Sequence, residues 1–312
     1  MTSINTNLSA MTALQSLKST QSNLGKTQSQ ISTGLRVGEA SHNASYWSIA
    51  TQMKSDNGAL SAVKDSIQQS KALINTFTSA LDKTLVYLNK MKEGLVAATQ
   101  PGADLAKINT EFKANIEGMK SAATSAQFNG QNWLISAPSA AAGTAASDVN
   151  IVVSYDAKNN SVGQLAIDIE DIQLFETNTT TDGGILNQGT TPASKYMDSV
   201  VGMNLEDTTF AAKNTAGKEA DLKVMLTTID TAITAVTKGS SMLGANKALL
   251  ETQEEFIGAL SNNLTAGVSA FVDADMNEAS TRLQALQTQQ QLGVQALSIA
   301  NQNSQMILRL FQ

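Results

Sequence analysis

The sequence predicts a mainly α-helical chain, with long terminal helices suited to pairing, a coiled-coil-like helical bundle between them and a small β-containing insertion at the centre. Three observations carry this. Only three prolines interrupt 312 residues, and long Ala, Gln, Leu, Ser and Thr-rich stretches without breakers favour helix over strand. Apolar residues recur in alternating steps of three and four over most of the chain, which lays a stripe down one helix face. Alternation with a period of two is confined to about residues 149–169, and this is the period of half-buried strands.

The amino-terminal helix places Ala10, Leu17, Leu24 and Ile31 at seven-residue intervals, with Ile4, Leu8, Met11 and Leu14 beside them and only Lys18 and Lys26 charged through residue 35. Residues 276–312 repeat the design with Ala279, Leu283, Leu286, Gly293, Leu297, Ala300, Ile307 and Phe311, and carry charge only at Glu278, Arg282 and Arg309. A helix of about 35 residues projects about 50 Å, too far for one compact domain to bury its stripe. The natural partners of each end are the other terminus and neighbouring copies of the chain.

From Ile49 a second helix carries Met53, Leu60, Val63, Ile67, Ile74, Phe77, Leu81, Leu88, Met91 and Leu95 on one seam, interrupted by Asp56, Ser70 and Thr84. Thr99-Gln100-Pro101-Gly102 ends it, because proline cannot continue the hydrogen-bond ladder and glycine accepts positive φ. A return helix follows with Leu105, Ile108, Phe112, Ile116 and Met119 inward. Phe128-Asn129-Gly130-Gln131 is a tight-turn signal before the short apolar run Trp133-Leu134-Ile135. The Ala/Ser/Gly stretch 137–147 reads as a linker and places a boundary there.

Beyond the linker, Val149, Ile151, Val153 and Tyr155 form one strand pattern and Leu165, Ile167 and Ile169 another, with a turn or bulge near Glu170-Asp171 where the apolar phase shifts. Residues 176–195 read as surface loop, with irregular structure continuing to about Gly217. Helix resumes with Leu222, Leu226, Ile229, Ile233, Val236, Leu243, Leu250, Ile257 and Leu264. Helices over 45–99, 104–127 and 219–266 bury their seams against one another as a bundle.

The net charge is −6 with scattered basic residues, which argues against nucleic acid or an anionic membrane as partner. The chain has no cysteine, hence no disulfide or thiolate metal site. It begins with no secretory signal pattern, and no window approaches the ~18 apolar residues of a membrane span; a protein of this kind that leaves the cell uses another route.

Catalytic chemistry finds little support. His42 is the only histidine, which disfavours His-based metal clusters and a Ser/His/Asp site. Neither a phosphate-binding nor a dinucleotide-binding glycine motif occurs, so no cofactor is expected. Glu254-Glu255 reads as a solvated helix face, and Tyr46 and Trp47 as packing anchors. Asp273 and Asp275 are too few for a calcium site, but antiparallel termini would bring Arg36 near both, in an ion pair that positions more than it stabilises.

At this point the chain resembles bacterial flagellin. The resemblance rests on Ile4-Asn5-Thr6-Asn7, Leu24-Gly25, Ile31-Ser32-Thr33-Gly34-Leu35-Arg36 and Gln127-Phe128-Asn129-Gly130, then Asn263-Leu264-Thr265, Asp273-Ala274-Asp275 and the Gln-rich run into Leu308-Arg309-Leu310-Phe311. It covers about residues 1–135 and 217–312, and 136–216 match nothing. The resemblance implies termini paired as an inner coiled coil with connecting spokes (1–44 with 267–312), a helical bundle with a β-hairpin (45–139 with 217–266), and a variable outer domain (140–216). Within the terminal part, the spokes would be about 36–44 and 267–275.

The implied function is a structural subunit, not an enzyme, that self-assembles into the extracellular flagellar filament and serves swimming motility. The implied partners are other copies, the filament cap, the hook–filament junction proteins, an export chaperone and the flagellar type III export apparatus. Many flagellins carry an Arg-rich stretch followed by Glu and Leu that a vertebrate innate receptor grips. This chain has Lys90, Lys92, Glu93 and Gly94 there, and lysine does not reproduce a bidentate guanidinium contact, so weak receptor recognition is expected. The competing readings are a hook–filament junction protein, which normally lacks the Ile4-to-Asn7 and Ile31-to-Arg36 segments, and a secreted helical effector or enzyme, which lacks a catalytic constellation.

Overall fold

The computed structural model describes residues 7–136, 149–159, 161–176, 184–186 and 199–310, with side chains over the same ranges except at 136, 176, 209 and 303–310. Helices are α1 (Leu8–Thr33), α2 (Ala44–Ala98), α3 (Leu105–Ser125), a short α4 (Thr208–Ala211), α5 (Thr215–Val272) and α6 (Met276–Leu310). Strands are β1 (Ile135–Ser136), β2 (Val149–Asp156), β3 (Ser161–Ile167) and β4 (Phe175–Glu176). Contacts divide the chain into two units, Met1–Gly58 with Leu260–Gln312, and Ala59–Ala259. The sequence draws its boundary at 44/45, whereas the contacts group 45–58 with the termini. Within that terminal unit, Ser261 Oγ donates to Asn57 Oδ1 and Asn57 Nδ2 donates to Thr265 Oγ1 at 3.2 Å.

The 59–259 unit is organised by the expected seams. Ile67, Ile74, Phe77, Leu81, Leu88, Met91 and Leu95 of α2 are buried, as are Phe112, Ile116 and Met119 of α3 and Leu222, Ile229, Val236, Leu243, Leu250 and Ile257 of α5. Two polar interruptions of the α2 seam are absorbed by the helix itself: Ser70 Oγ donates to Ser66 O at 2.9 Å and Thr84 Oγ1 to Ala80 O at 3.0 Å, the back-bonding that satisfies a hydroxyl inside a helix.

Two glycines let α2 and α3 approach closely. A Cβ at Gly94 would lie 2.8 Å from the Phe112 ring, and one at Gly118 would lie 2.8 Å from the Tyr87 ring. Neither notch is visible in the hydrophobic pattern, which scores glycine as a gap rather than as a seat for an aromatic ring.

The Asn-Gly signal forms a two-residue turn. Phe128 and Gln131 exchange both backbone hydrogen bonds at 3.0 Å, with φ of 51° at Asn129 and 77° at Gly130, as a type I′ turn requires. Trp133 then stacks on Phe77, with ring centroids 4.8 Å apart. β2 and β3 pair antiparallel, with a register irregularity between Val152 and Ser154. The phase shift at Glu170-Asp171 is a 3-10 turn, Glu170–Ile172, seated on α5: Asp171 O lies 2.9 Å from where a Gly239 Cβ would be. Ile169 therefore lies beyond the strand. The 176–195 segment lies mostly outside the described residues.

Two contacts have no local sequence signal. β1 and β4 pair in parallel, across the β2–β3 hairpin. Buried Asn109 of α3 donates through Nδ2 to Asn204 Oδ1 at 2.9 Å and Glu206 Oε2 at 2.7 Å, and accepts the Leu205 N–H at 3.1 Å. One carboxamide thus fastens the 204–206 loop, with buried Met203 and Leu205, onto the helix.

The paired-helix unit as candidate assembly interface

Within the terminal unit α1 and α6 pack side by side and run antiparallel, as two contacts near one end show. Asn7 Nδ2 donates to Ala300 O at 3.0 Å, and a Cβ at Gly293 would lie 3.1 Å from Leu17 Cδ1. Asn7 also caps α1, its side chain accepting the Ala10 N–H at 3.0 Å, while Gly34 ends the helix in the left-handed region with φ 72°. These are the usual solutions for unpaired groups at helix ends.

The seam is mixed. Leu17, Leu24, Ile31, Leu283 and Leu297 are half-buried, while Thr20, Thr27, Ala279 and Leu286 are buried. Thr20 Oγ1 donates to Ser16 O at 3.0 Å, so its hydroxyl is satisfied within α1. Ile307 belongs to α6 but its side chain lies outside the described residues, as does the whole of Phe311.

Filling this seam leaves a second set of apolar side chains in the open. Leu8, Met11 and Leu14 of α1 are 76%, 61% and 56% exposed, and Leu292 and Ile299 of α6 are 59% and 60% exposed. Leu8, Met11 and Leu14 are spaced at intervals of three and Leu292 and Ile299 at seven, so each set lies along one line of its helix. No charged residue occurs between Arg282 and Arg309. The sequence marked one stripe per terminus; the structure divides the apolar residues between a filled seam and an unfilled outer face.

The connection between α1 and α6 corrects two expectations. The helix expected over 219–266 runs on into the segment assigned to a spoke: α5 continues to Val272, and only 273–275 break before α6. No proline interrupts 267–272, and Gly267 fits against the Met53 methyl, 2.7 Å from where its Cβ would be. The expected ion pair of Arg36 with Asp273 and Asp275 is also not made. Arg36 Nη2 instead donates to Phe271 O at 3.1 Å, and its guanidinium lies 6.0 Å from the centroid of Tyr46.

Each carboxylate serves its own helix end. Asp273 accepts from Ser269 Oγ. Asp275 caps α6 by accepting the Asn277 and Glu278 N–H groups at 2.8 and 3.2 Å. The two strands of the connection are held through backbone, with Arg36 N–H to Val272 O at 2.7 Å and Ala274 N–H to Gly34 O at 2.9 Å. Tyr46 stacks on Phe271 with centroids 5.6 Å apart, while Trp47 and Ile49 remain exposed.

In the 59–259 unit, Lys90 and Glu93 are exposed, Lys92 Nζ lies 2.6 Å from Asp230 Oδ1, and Gly94 faces Phe112. Glu254 is not on a freely solvated face. It pairs with Lys71 at 3.0 Å and accepts from Gln68 at 2.9 Å, and these bonds, that of Gln68 first, hold its carboxyl below the usual range.

Comparison with known proteins identifies the family. Residues 4–138 match the family model of the bacterial flagellin N-terminal helical region, and residues 226–311 that of the C-terminal helical region. Among curated relatives, Flagellin C of Rhizobium meliloti (strain 1021) is 41% identical and Flagellin of Brucella melitensis biotype 1 is 40% identical. Flagellin D of Rhizobium meliloti is 34% identical, and all three alignments cover 100% of both chains. The chain therefore belongs to the bacterial flagellins, structural subunits of the flagellar filament and not enzymes.

Proposed function

We propose that polymerisation proceeds through the outer face of the paired terminal helices, with Leu8, Met11, Leu14, Leu292 and Ile299 as contacts between copies. The carrying observation is that these side chains stay exposed after α1 and α6 have filled their own seam. A line of apolar side chains with almost no charge near it gains most by burial against its like. On this reading Leu17, Leu24, Ile31, Leu283, Leu286, Leu297, Ile307 and Phe311 hold the pair together, and the residues around Arg36, Asp273 and Asp275 join it to the rest of the chain. The variable outer domain is 140–216, and the filament is extracellular. The filament cap, the junction proteins, an export chaperone and the type III export apparatus complete the set of partners.

Leu14→Asp tests the outer face. Leu14 is exposed, so the soluble subunit should keep its helical circular dichroism and lose no more than about 0.5 kcal/mol of stability. A charge buried without a partner at every copy-to-copy contact costs about 3–5 kcal/mol, so seeded assembly should need at least a hundredfold more protein. Sedimentation of normal filaments at the wild-type concentration would remove Leu14 from the interface.

We also propose weak activation of the vertebrate flagellin receptor. Lys90 and Lys92 lack the planar guanidinium fork, and Lys92 is engaged by Asp230. A reporter-cell assay on purified subunit should give a response about tenfold or more below that of an arginine-bearing flagellin. An equal response would reject the proposal.

A further inference from the structure

The sequence contains two Asn-Gly pairs, Asn57-Gly58 and Asn129-Gly130. This dipeptide is the one most open to spontaneous deamidation, because glycine offers no side chain to obstruct attack by its own backbone nitrogen. The two sites have opposite surroundings. Asn57 lies inside α2, its carboxamide held by Ser261 and Thr265, and ring closure there requires breaking a helix interior. Asn129 is exposed at the tip of the type I′ turn. Among the described hydrogen bonds neither its carboxamide nor the Gly130 N–H has a partner, and the turn is closed only by the two Phe128–Gln131 bonds.

We infer that, of the two Asn-Gly pairs, Asn129 is the site of spontaneous modification in the folded protein, and that the fold protects Asn57. The Gly130 nitrogen, losing its proton to solvent base, attacks Asn129 Cγ. The new N–Cγ bond replaces the Cγ–Nδ2 bond, ammonia leaves, and water opens the resulting succinimide to aspartate or isoaspartate. Attack requires the backbone at Asn129 to leave its left-handed conformation. That demands opening of one exposed two-residue turn, a far smaller local unfolding event than opening α2.

Isoaspartate adds a methylene to the main chain. The two-residue loop then no longer matches the spacing of the Phe128–Gln131 pair, which loosens the turn that leads into Trp133. The aspartate product keeps the main-chain length and adds one negative charge.

The test is ageing of the full-length wild-type protein at mildly alkaline pH, once folded and once in concentrated urea. Peptide mapping with isoaspartyl methyltransferase labelling then reads each site. In urea both sites should convert at similar rates, since both carry the same dipeptide. In the folded protein conversion at Asn129 should exceed that at Asn57 by about tenfold or more. Equal conversion in the folded protein, or conversion of both in urea with neither converting when folded, would overturn the inference.

Discussion

Phe77→Ala is expected to lower the unfolding free energy of the 59–259 unit by about 3–5 kcal/mol, the usual range for removing a large aromatic side chain from a packed core. Phe77 is fully buried on the α2 seam and stacks on Trp133 at 4.8 Å. Its loss removes apolar burial and the aromatic contact, and leaves a void beneath the residues that follow the Asn129-Gly130 turn. Urea denaturation followed by circular dichroism measures the effect. Phe256→Ala is the matched control, because Phe256 is 61% exposed and its truncation should change stability by less than about 0.5 kcal/mol. A shift at Phe77 no larger than that at Phe256 would mean that the seam through Ile74, Phe77 and Leu81 does not organise this unit.

That seam was legible because a coiled-coil-like helix repeats one physical demand every three or four residues, and errors at single positions average out. Eleven apolar positions marked α2; ten of them are buried or half-buried and Ile49 alone is exposed. The Asn-Gly turn was legible for another reason, since both its residues have positive φ and few sequences tolerate that.

What escaped depends on partners distant in sequence. The β1–β4 pair joins residues 135–136 to 175–176, and a two-residue strand has no period to detect. Asn109 carries no mark distinguishing it from an exposed asparagine until residues 204–206 surround it. At Arg36 the sequence correctly brought two segments together but misjudged the contact. Backbone carbonyls and helix-end N–H groups were nearer partners than the opposite charges, and an exposed ion pair offers too little to displace them. The apolar pattern of the termini likewise did not separate residues that hold one chain together from those left for another.

Leu286→Asp addresses that separation from the inner side. Leu286 is only 9% exposed on α6, in a seam whose neighbours Leu283 and Gly293 are half-buried and where α1 contributes Leu17 and Leu24. An aspartate there is stranded between two helices and costs about 3–5 kcal/mol unless a cation reaches it. The nearest cation in sequence, Arg282, is already committed to Glu278 at 2.7 Å. An antiparallel pair of amphipathic helices with no larger core of its own has little stability in reserve, so α1 and α6 should separate in the soluble subunit. Amide hydrogen exchange should show protection lost across 8–33 and 276–302, with 59–259 unchanged. Seeded assembly should fail as well, because the outer face exists only while the pair holds. Leu297→Asp, at a half-buried position, should give a weaker form of the same result, with exchange raised but assembly recoverable at higher protein concentration. The contrast with Leu14→Asp is the decisive reading: seam variants lose protection and assembly together, whereas the outer-face variant loses assembly alone. Retained protection and normal filaments in Leu286→Asp would show that the α1–α6 seam does not hold the terminal unit together.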